Sequence, residues 1–256
     1  MKSKFFLAGL ILLLFAKGNT GFSQDLTTVE QVLRASLKAK GGEEAWGKIT
    51  TWKEKHSIRA SKTDVKDNTL RSVGLDANVT HYYRYPAYCY TESVHVSVAN
   101  SRQVAVGVPG NYKMIWYLGE NKTPVQIENP GPYYPCTELK ILNKLLDKAG
   151  PLSAETLNDK LCYVFTVTEA KSTTTYYYDK ASYLLYATIF KGEKTNSTTF
   201  YMEYREVEGV LVSFLRKSVR KMSQADFETE TKVESLEING EIKELFFEEE
   251  YKKLES

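Results

Sequence analysis

The sequence predicts a mainly β protein with some α: a strongly curved antiparallel sheet that forms a half-open β-barrel covered by helices. Apolar and polar residues alternate with a period of two from Thr51 onward, and short polar segments connect the alternating runs. A helical segment then interrupts these runs between Gly119 and Pro151. Alternation with short connections is typical of antiparallel hairpins. A helix inserted into such a meander packs across a sheet face or fills an open barrel end, so we expect a sheet that closes, or nearly closes, on itself.

Two helices are predicted, one before the first strand and one between the two groups of strands. The segment from Leu26 to Lys40 has apolar residues at helical spacing, with Thr27 or Thr28 as the N-cap and Gly41-Gly42 as the stop. The second helix lies in "CTELKILNKLLDKAGPL", where leucines form one stripe and a Gly-Pro pair ends it. The charged tail "EEEYKKLES" is expected to be a solvated end.

About eleven strands are predicted from the alternating runs and the turns between them. The stretch "TTTYYYDKASYLLYATIF" predicts a hairpin, with Asp179 in the turn, where aspartate is favoured because its side chain bonds the backbone. The other runs cover residues 51–60, 69–75, 79–85, 93–98, 103–108, 112–118, 161–168, 197–205, 210–221 and 227–238.

Residues 1–23 are predicted to be a secretory signal peptide, and residues 24–256 a single half-barrel domain. Lysines precede an apolar run from Phe5 to Ala16, which is short for a membrane span and which Lys17 ends. The small residues Gly21 and Ser23 suit a cleavage site. An uncleaved anchor is the alternative. Because no cysteine follows the run, lipid attachment of the lipoprotein type is excluded, and we expect a periplasmic protein that is at most peripheral to the membrane.

Composition narrows the classes of partner. The chain has 34 basic and 32 acidic residues and a formal net charge of +2, so it offers no clustered positive charge for nucleic acid. In an oxidising compartment its three cysteines allow one disulfide. Cys89 and Cys136 are free to pair by sequence, and Cys162, inside a predicted strand, is expected to be a buried thiol.

No catalytic residue, metal site or cofactor is predicted. His56, His81 and His95 each fall in a predicted strand and lack metal-ligand spacing, so we interpret them as sheet-surface or core histidines. The sequence contains no nucleophile elbow and no glycine-rich phosphate loop. An enzyme on this scaffold would need a convergent polar cluster in the cavity, and the sequence shows none.

The candidate ligand site is an apolar cavity. Large apolar residues on the inward phases of the strands either pack as an ordinary core or line a pocket under the helices that takes a lipid chain. The predicted cavity residues are Trp116, Phe165, Tyr177, Leu185, Phe200, Phe214 and Val233.

Several stretches resemble a known family. They are "KAKGGEEAWGKI" after the first helix, "AGPL" after the second, "TTTYYYDKASYLL", "YMEYREVEGVLVSF" and "VESLEINGEIKELFF". Together they resemble the outer membrane lipoprotein-sorting proteins of Bacteroidetes, within the LolA/LolB-like superfamily. The resemblance implies a curved antiparallel half-barrel with helices on its concave side and a cavity that accepts acyl chains.

Two functions follow as expectations. The first is an exported, non-catalytic carrier that holds the acyl chains of a lipid or an acylated lipoprotein in the cavity. The alternative is a cell-envelope interaction or structural module without a lipid ligand, whose strand edges meet a partner protein. An enzyme is a third and weaker reading.

Overall fold

The structure is a computed structural model of the 256-residue chain. It describes residues 25–64, 70–72, 76–96, 101–125, 134–193, 195–221 and 225–254. The predicted signal peptide, residues 1–23, lies outside the described residues.

The first predicted helix is confirmed. Helix α1 follows Thr28, whose side chain accepts a hydrogen bond from the backbone N–H of Gln31 while the Gln31 side chain accepts one from the backbone of Thr28. This reciprocal capping satisfies two N–H groups that the first helical turn otherwise leaves without partners. The helices are α1 (Val29–Ala39), α2 (Glu43–Gly47), α3 (Thr137–Lys144) and α4 (Glu244–Lys253), and a short 3-10 helix (Leu146–Lys148) follows α3.

The strands form two meanders separated by α3. The first contains β1 (Thr51–Asp64), β2 (Leu70–Ser72), β3 (Ala77–Arg84), β4 (Tyr88–His95), β5 (Ser101–Val108), β6 (Asn111–Leu118) and β7 (Asn121–Val125). The second contains β8 (Ser153–Leu157), β9 (Lys160–Glu169), β10 (Ser172–Asp179), β11 (Leu185–Gly192), β12 (Asn196–Val207), β13 (Val210–Lys221) and β14 (Ala225–Ile238).

All fourteen described strands belong to one antiparallel sheet in the order β7-β6-β5-β4-β3-β1-β14-β13-β12-β11-β10-β9-β8, with β2 paired to β1 alone. The two meanders join through β1 and β14, which pair from Trp52–Ile238 to Asp64–Ala225. Within the described residues β7 and β8 are the two ends, so the sheet is open. The predicted fold class, an antiparallel sheet that does not fully close and carries helices, is confirmed.

The sheet has more strands than the sequence predicted, because β7 and β8 are short and lack clear alternation, whereas β2 falls within the predicted run at residues 69–75. Strand β7 contains Pro124, which cannot donate a ladder hydrogen bond and is tolerated at a sheet edge. The predicted hairpin forms as β10 and β11, and Asp179 accepts hydrogen bonds from Ala181 N–H at 3.1 Å and from the Ser182 hydroxyl at 2.9 Å. The predicted turn role of Asp179 is confirmed.

Helices α1 and α3 cover one face of the sheet, which we call the inner face. Their apolar residues pack against β9, β10 and β11 in a continuous core. A second core links the end of α1, α2 and α3 to β1, β13 and β14 through Trp46, Trp52 and Val210. The first core consists of Val29, Val32, Leu33, Ile141, Leu145, Tyr163, Phe165, Val167, Tyr178 and Leu185.

A buried ion pair joins α1 to α3. Lys40 Nζ lies 2.8 Å from Glu138 Oε2, and the two side chains are 9% and 0% exposed. Ser36 donates to the other oxygen of Glu138 at 3.0 Å. Burial alone would lower the pKa of Lys40 and raise that of Glu138, but the mutual attraction reverses both directions, so both groups are charged.

The chain turns sharply after α1 because Gly41 has φ +107°, and a Cβ there would collide with the carbonyl oxygen of Gly209 in the β12–β13 turn. The carbonyl of Lys40 accepts from Leu211 N–H at 3.1 Å and from the Trp46 indole at 3.0 Å. The end of α1 is thus fixed to the sheet by backbone contacts.

The C-terminal tail corrects the sequence prediction of a solvated end. Residues 244–253 form α4, which lies on the opposite, outer face over β4 and β5. Phe247 is fully buried there among Tyr90, Val104 and Val106. The glutamates of α4 lie on the side of the helix that faces solvent. Because these charges dominate the end of the sequence, the sequence prediction overlooked the aromatic residues that dock the helix.

The three cysteines are buried thiols, so the disulfide between Cys89 and Cys136 that the sequence left open is not formed. Cys162 is buried in β9 as predicted, and burial raises the pKa of its thiol to about 11. A thiol with so high a pKa is poorly nucleophilic.

Candidate functional site

The inner face carries a cavity of about 540 Å³ over the middle of the sheet. Its floor is formed by β3, β1, β14, β13 and β12, which are consecutive in the sheet order. Tyr134 and Pro135, just before α3, form one wall. The lining residues are Trp52, Glu54, His56, His81, Tyr83, Tyr85, Tyr134, Pro135, Thr199, Tyr201, Arg216, Ser218 and Thr231.

Glu54 is the centre of a polar cluster in this cavity. Trp52, Glu54 and His56 alternate along β1 and so point to the same face. The indole of Trp52 donates to Glu54 Oε2 at 2.9 Å, and His56 Nδ1 lies 3.0 Å from Glu54 Oε1. Arg216, two strands away on β13, donates through Nη2 to the same Oε1 at 3.1 Å. Both carboxylate oxygens therefore have partners.

The electrostatics keep Glu54 ionised. Burial raises the pKa of this carboxyl, but the hydrogen bond from His56 and the charge of Arg216 outweigh burial, and the pKa falls to about 2. A buried carboxylate is stable only when it is paired and hydrogen-bonded. The cluster satisfies both conditions, so Glu54 is a fixed negative charge at the cavity floor.

His81 is directly opposite Glu54 in the β1–β3 register, and its ring centroid lies 5.0 Å from that of His56. Its Nδ1 is 2.8 Å from the Thr91 hydroxyl. Burial, the adjacent His56 and the charge of Arg216 lower the pKa of His81 to about 4, against the opposing effect of Glu54. His81 is therefore neutral at neutral pH.

Aromatic rings form much of the remaining wall. Tyr83 is paired with Trp52 across the strands and stacks on Tyr85, with ring centroids 6.0 Å apart. Burial raises the pKa of both phenols, so their hydroxyl groups stay protonated. With Tyr134 and Tyr201 they give a surface that offers apolar ring faces together with hydroxyl groups.

The predicted cavity residues are distributed over both faces of the sheet. Phe165 and Leu185 lie in the core beneath α1 and α3, whereas Tyr177 and Phe200 lie on the outer face with Cys162, Val164 and Ala187. In this outer cluster the side chains of β9 to β12 cover one another.

The other three are on the inner side of their strands. Val233 is paired directly with His56. Phe214 is buried beneath the guanidinium of Arg205 at 4.7 Å, and Trp116 stacks on His95 at 5.1 Å. None of the seven is among the described residues that line the 540 Å³ cavity. That they contact a ligand stays a prediction.

Sequence reasoning missed the polar cluster. It interpreted His56 and His81 as sheet-surface or core histidines, and both lie in strands as predicted, but they also line the cavity, where His56 contacts Glu54 and the His81 ring lies beside that of His56. One signal was present, because Glu54 and His56 occupy the same strand phase as Trp52, Ile58 and Ala60. The partner of Glu54, Arg216, lies 162 residues away in the chain, so its contact was invisible.

Within the described ranges, no group of three or more His, Cys, Asp or Glu side chains is arranged to hold a metal ion. The same part of the chain contains no helix that is long and apolar enough to cross a membrane.

The open antiparallel sheet, with helices and a cavity on its inner face, defines a half-open barrel. Its structure is similar to a domain described as an outer membrane lipoprotein-sorting protein from Vibrio parahaemolyticus. That match has a TM-score of 0.54 and 11% identity over 87% of this chain and 97% of that one. It is also similar to a DUF1329 family protein from Desulfovibrio piger, with a TM-score of 0.57 and 10% identity over 88% and 99% of the two chains.

A LolA superfamily protein from Nitrosomonas europaea matches with a TM-score of 0.46 and 10% identity, over 88% of this chain and all of that one. No protein-family model matches the sequence, and no curated protein matches it. At these identities the similarity concerns the fold, and the first two structures carry it. The architecture that the sequence resemblance implied, a curved antiparallel sheet that forms a half-open barrel with helices on one face, is confirmed.

Proposed function

We propose that this chain is an exported carrier that binds an amphipathic lipid, or the acyl chain of a lipoprotein, in the inner-face cavity. The observation that carries the proposal is the cavity itself: about 540 Å³ of space in an open sheet, walled by aromatic side chains. Ligand pockets for small molecules typically measure about 300–1,000 Å³ and combine apolar walls with a few placed polar groups. This cavity has both features.

The expected strength of binding supports a reversible carrier. Each methylene removed from water contributes about 0.8 kcal/mol. Ten methylenes in the cavity would therefore contribute about 8 kcal/mol, which corresponds to micromolar affinity before the entropy of immobilising the ligand is subtracted. Such a ligand can be both taken up and released.

Export is part of the proposal. The lysines and apolar run within residues 1–23 act as a signal peptide, and the mature protein works in the periplasm. The similar domain from Vibrio parahaemolyticus is described as lipoprotein-sorting, which agrees with a lipid or an acylated lipoprotein as the partner.

Native mass spectrometry of the protein purified from a periplasmic fraction, followed by lipid extraction, tests this function. We expect a co-purified acylated species, or uptake of added hexadecanoate at one molecule per chain. Thr199 lines the cavity, so Thr199→Trp should fill it and abolish uptake. Thr198, the next residue of β12, points to the other face, so Thr198→Trp is the matched control and should bind normally.

A clean mass without ligand, combined with no uptake of hexadecanoate or of an acylated peptide, would contradict the carrier function. That result would favour the alternative of a cell-envelope interaction module. Equal binding by the two tryptophan variants would show that a ligand binds elsewhere on the chain.

A further inference from the structure

The hydrogen bonds of the polar cluster give Glu54 and Arg216 different roles. Glu54 accepts at both oxygens, from Trp52, His56 and Arg216. A carboxylate whose oxygens are already engaged is poorly placed to bind a further donor. Its role is to hold Arg216 and His56 in position at the cavity floor.

Arg216 is the group that remains available to a ligand. Its side chain is 36% exposed, and it contacts Glu54 through Nη2 alone within the described part of the chain. A guanidinium carries five N–H donors in a planar fork, so several donors remain for the cavity. This fork matches the two oxygens of a carboxylate or a phosphate.

Hydroxyl groups surround Arg216 on three sides. Tyr201 is directly paired with it on β12 and Thr231 directly paired with it on β14. Ser218, two residues further along β13, lies on the same face. All four side chains line the cavity, so the strand register groups three hydroxyls around the Arg216 guanidinium. The Ser218 hydroxyl also bonds that of Thr199 at 3.0 Å, and the Tyr201 hydroxyl that of Thr188 at 3.4 Å.

We propose that this patch binds the oxyanion head group, a carboxylate or a phosphate, of the amphiphile that the cavity holds. Arg216 is the binding residue and Glu54 is its positioning residue. The acyl chain then lies against the aromatic wall formed by Trp52, Tyr83 and Tyr85. This inference rests on the proposed carrier function and adds to it the chemical class of the ligand's head.

Binding of three ligands with the same chain tests the head group. Hexadecanoate, hexadecyl phosphate and hexadecanol are titrated below their aggregation concentrations into the full mature protein, and the change in intrinsic tryptophan fluorescence, to which Trp52 in the cavity contributes, reports binding. The two anionic ligands should bind at least about tenfold more tightly than the alcohol, since a charge-assisted hydrogen bond is roughly twice as strong as a neutral one. Arg216→Gln should abolish that preference, because it weakens the two anionic ligands at least about tenfold more than it weakens hexadecanol.

The positioning role of Glu54 has its own readout, which is the ratio of the affinities for hexadecanoate and hexadecanol. Glu54→Gln should lower this ratio several-fold by weakening hexadecanoate more than hexadecanol. A general loss of structure would weaken both ligands together. Arg220 lies on β13 outside the cavity, so Arg220→Gln is the matched control and should keep the wild-type ratio.

Folding of each variant is checked by circular dichroism. If Arg216→Gln unfolds because Glu54 loses its partner, the double variant Glu54→Gln/Arg216→Gln removes both charges together and should also show no preference.

The outcomes separate this inference from the carrier function. Equal affinity for all three ligands would overturn the head-group proposal and leave the carrier intact. No binding of any of the three would overturn both. If inorganic phosphate or acetate alone bound as tightly as the matching amphiphile, the site would bind free anions, and the lipid head group would be the wrong ligand.

Discussion

The ion pair between Lys40 and Glu138 offers a sharp test of how the inner-face helices are held. The perturbation is Lys40→Met, which keeps an unbranched apolar side chain of nearly the same length. It removes the ammonium group, and with it both the ion pair to Glu138 and the contact of Nζ with the Trp46 ring at 4.9 Å from the ring centroid. Glu138, which is fully buried, then keeps Ser36 as a hydrogen-bond donor but loses its counter-charge.

The expected cost follows from burial. Removing one member of a buried ion pair leaves an uncompensated charge and typically costs about 3–5 kcal/mol. For a chain of this size, each kcal/mol corresponds to about 2–4 °C in Tm, so Tm should fall by at least about 6 °C. The direction in which the contribution of this ion pair to stability changes with pH also follows. Because the pair holds the pKa of Glu138 below its usual range, its contribution is present above the unfolded pKa of about 4.3 and is lost as pH falls through the folded value.

Urea unfolding followed by circular dichroism measures this cost, with Lys48→Met as the control. Lys48 pairs with Glu44 at 2.6 Å on the surface, where the side chains are 70% and 85% exposed, so solvent screens the pair and its contribution to stability is small. The double variant Lys40→Met/Glu138→Leu should recover much of the loss, since apolar replacement of a whole buried pair is often neutral. A cost for Lys40→Met as small as that of Lys48→Met would refute the reasoning.

Two further predictions concern the cavity and the outer face. Because the folded pKa of His81 is about 4 and the unfolded value is about 6.5, the native state binds less proton between these values, and stability falls as pH falls through this window. We therefore compare the free energies of unfolding of the wild type and of His81→Asn. The wild-type value minus the variant value should drop by about 3 kcal/mol from pH 7 to pH 4. A difference that does not change with pH would contradict the lowered pKa of His81. On α4, Phe247→Ala should lower the free energy of unfolding in urea by about 3–5 kcal/mol because Phe247 is fully buried. The control is Leu245→Ala, at a side chain that is 56% exposed, which should lower it by under about 1 kcal/mol. Equal costs would mean that α4 does not dock as described.

The sequence predicted the elements well because their signals are local. The cap at Thr28, the turn at Asp179 and the alternation along β1 each depend on residues within a few positions of one another. Side-chain period and turn chemistry are set by backbone geometry at that range. Antiparallel meanders joined by short connections follow from these signals, and with them the fold class.

Local sequence signals did not determine on which face of the sheet a strand residue lies. Phe165 and Tyr177 both occupy apolar phases of neighbouring strands, yet one packs under α1 and the other lies on the outer face. An alternating strand has two faces, and the choice between them depends on where the helices dock. Helix α4, whose charged residues suggested a solvated tail, covers apolar residues such as Val104 and Val106 on the outer face.

The candidate site shows most clearly which contacts the sequence could not predict. The sequence by itself determined that Trp52, Glu54 and His56 share a face of one strand. Only the tertiary structure decided that Arg216 meets Glu54, because that contact requires β1, β14 and β13 to be consecutive in the sheet. The pairing of β1 with β14 joins the first and the last described strands, and long-range pairing of this kind is fixed by the packing of the whole sheet.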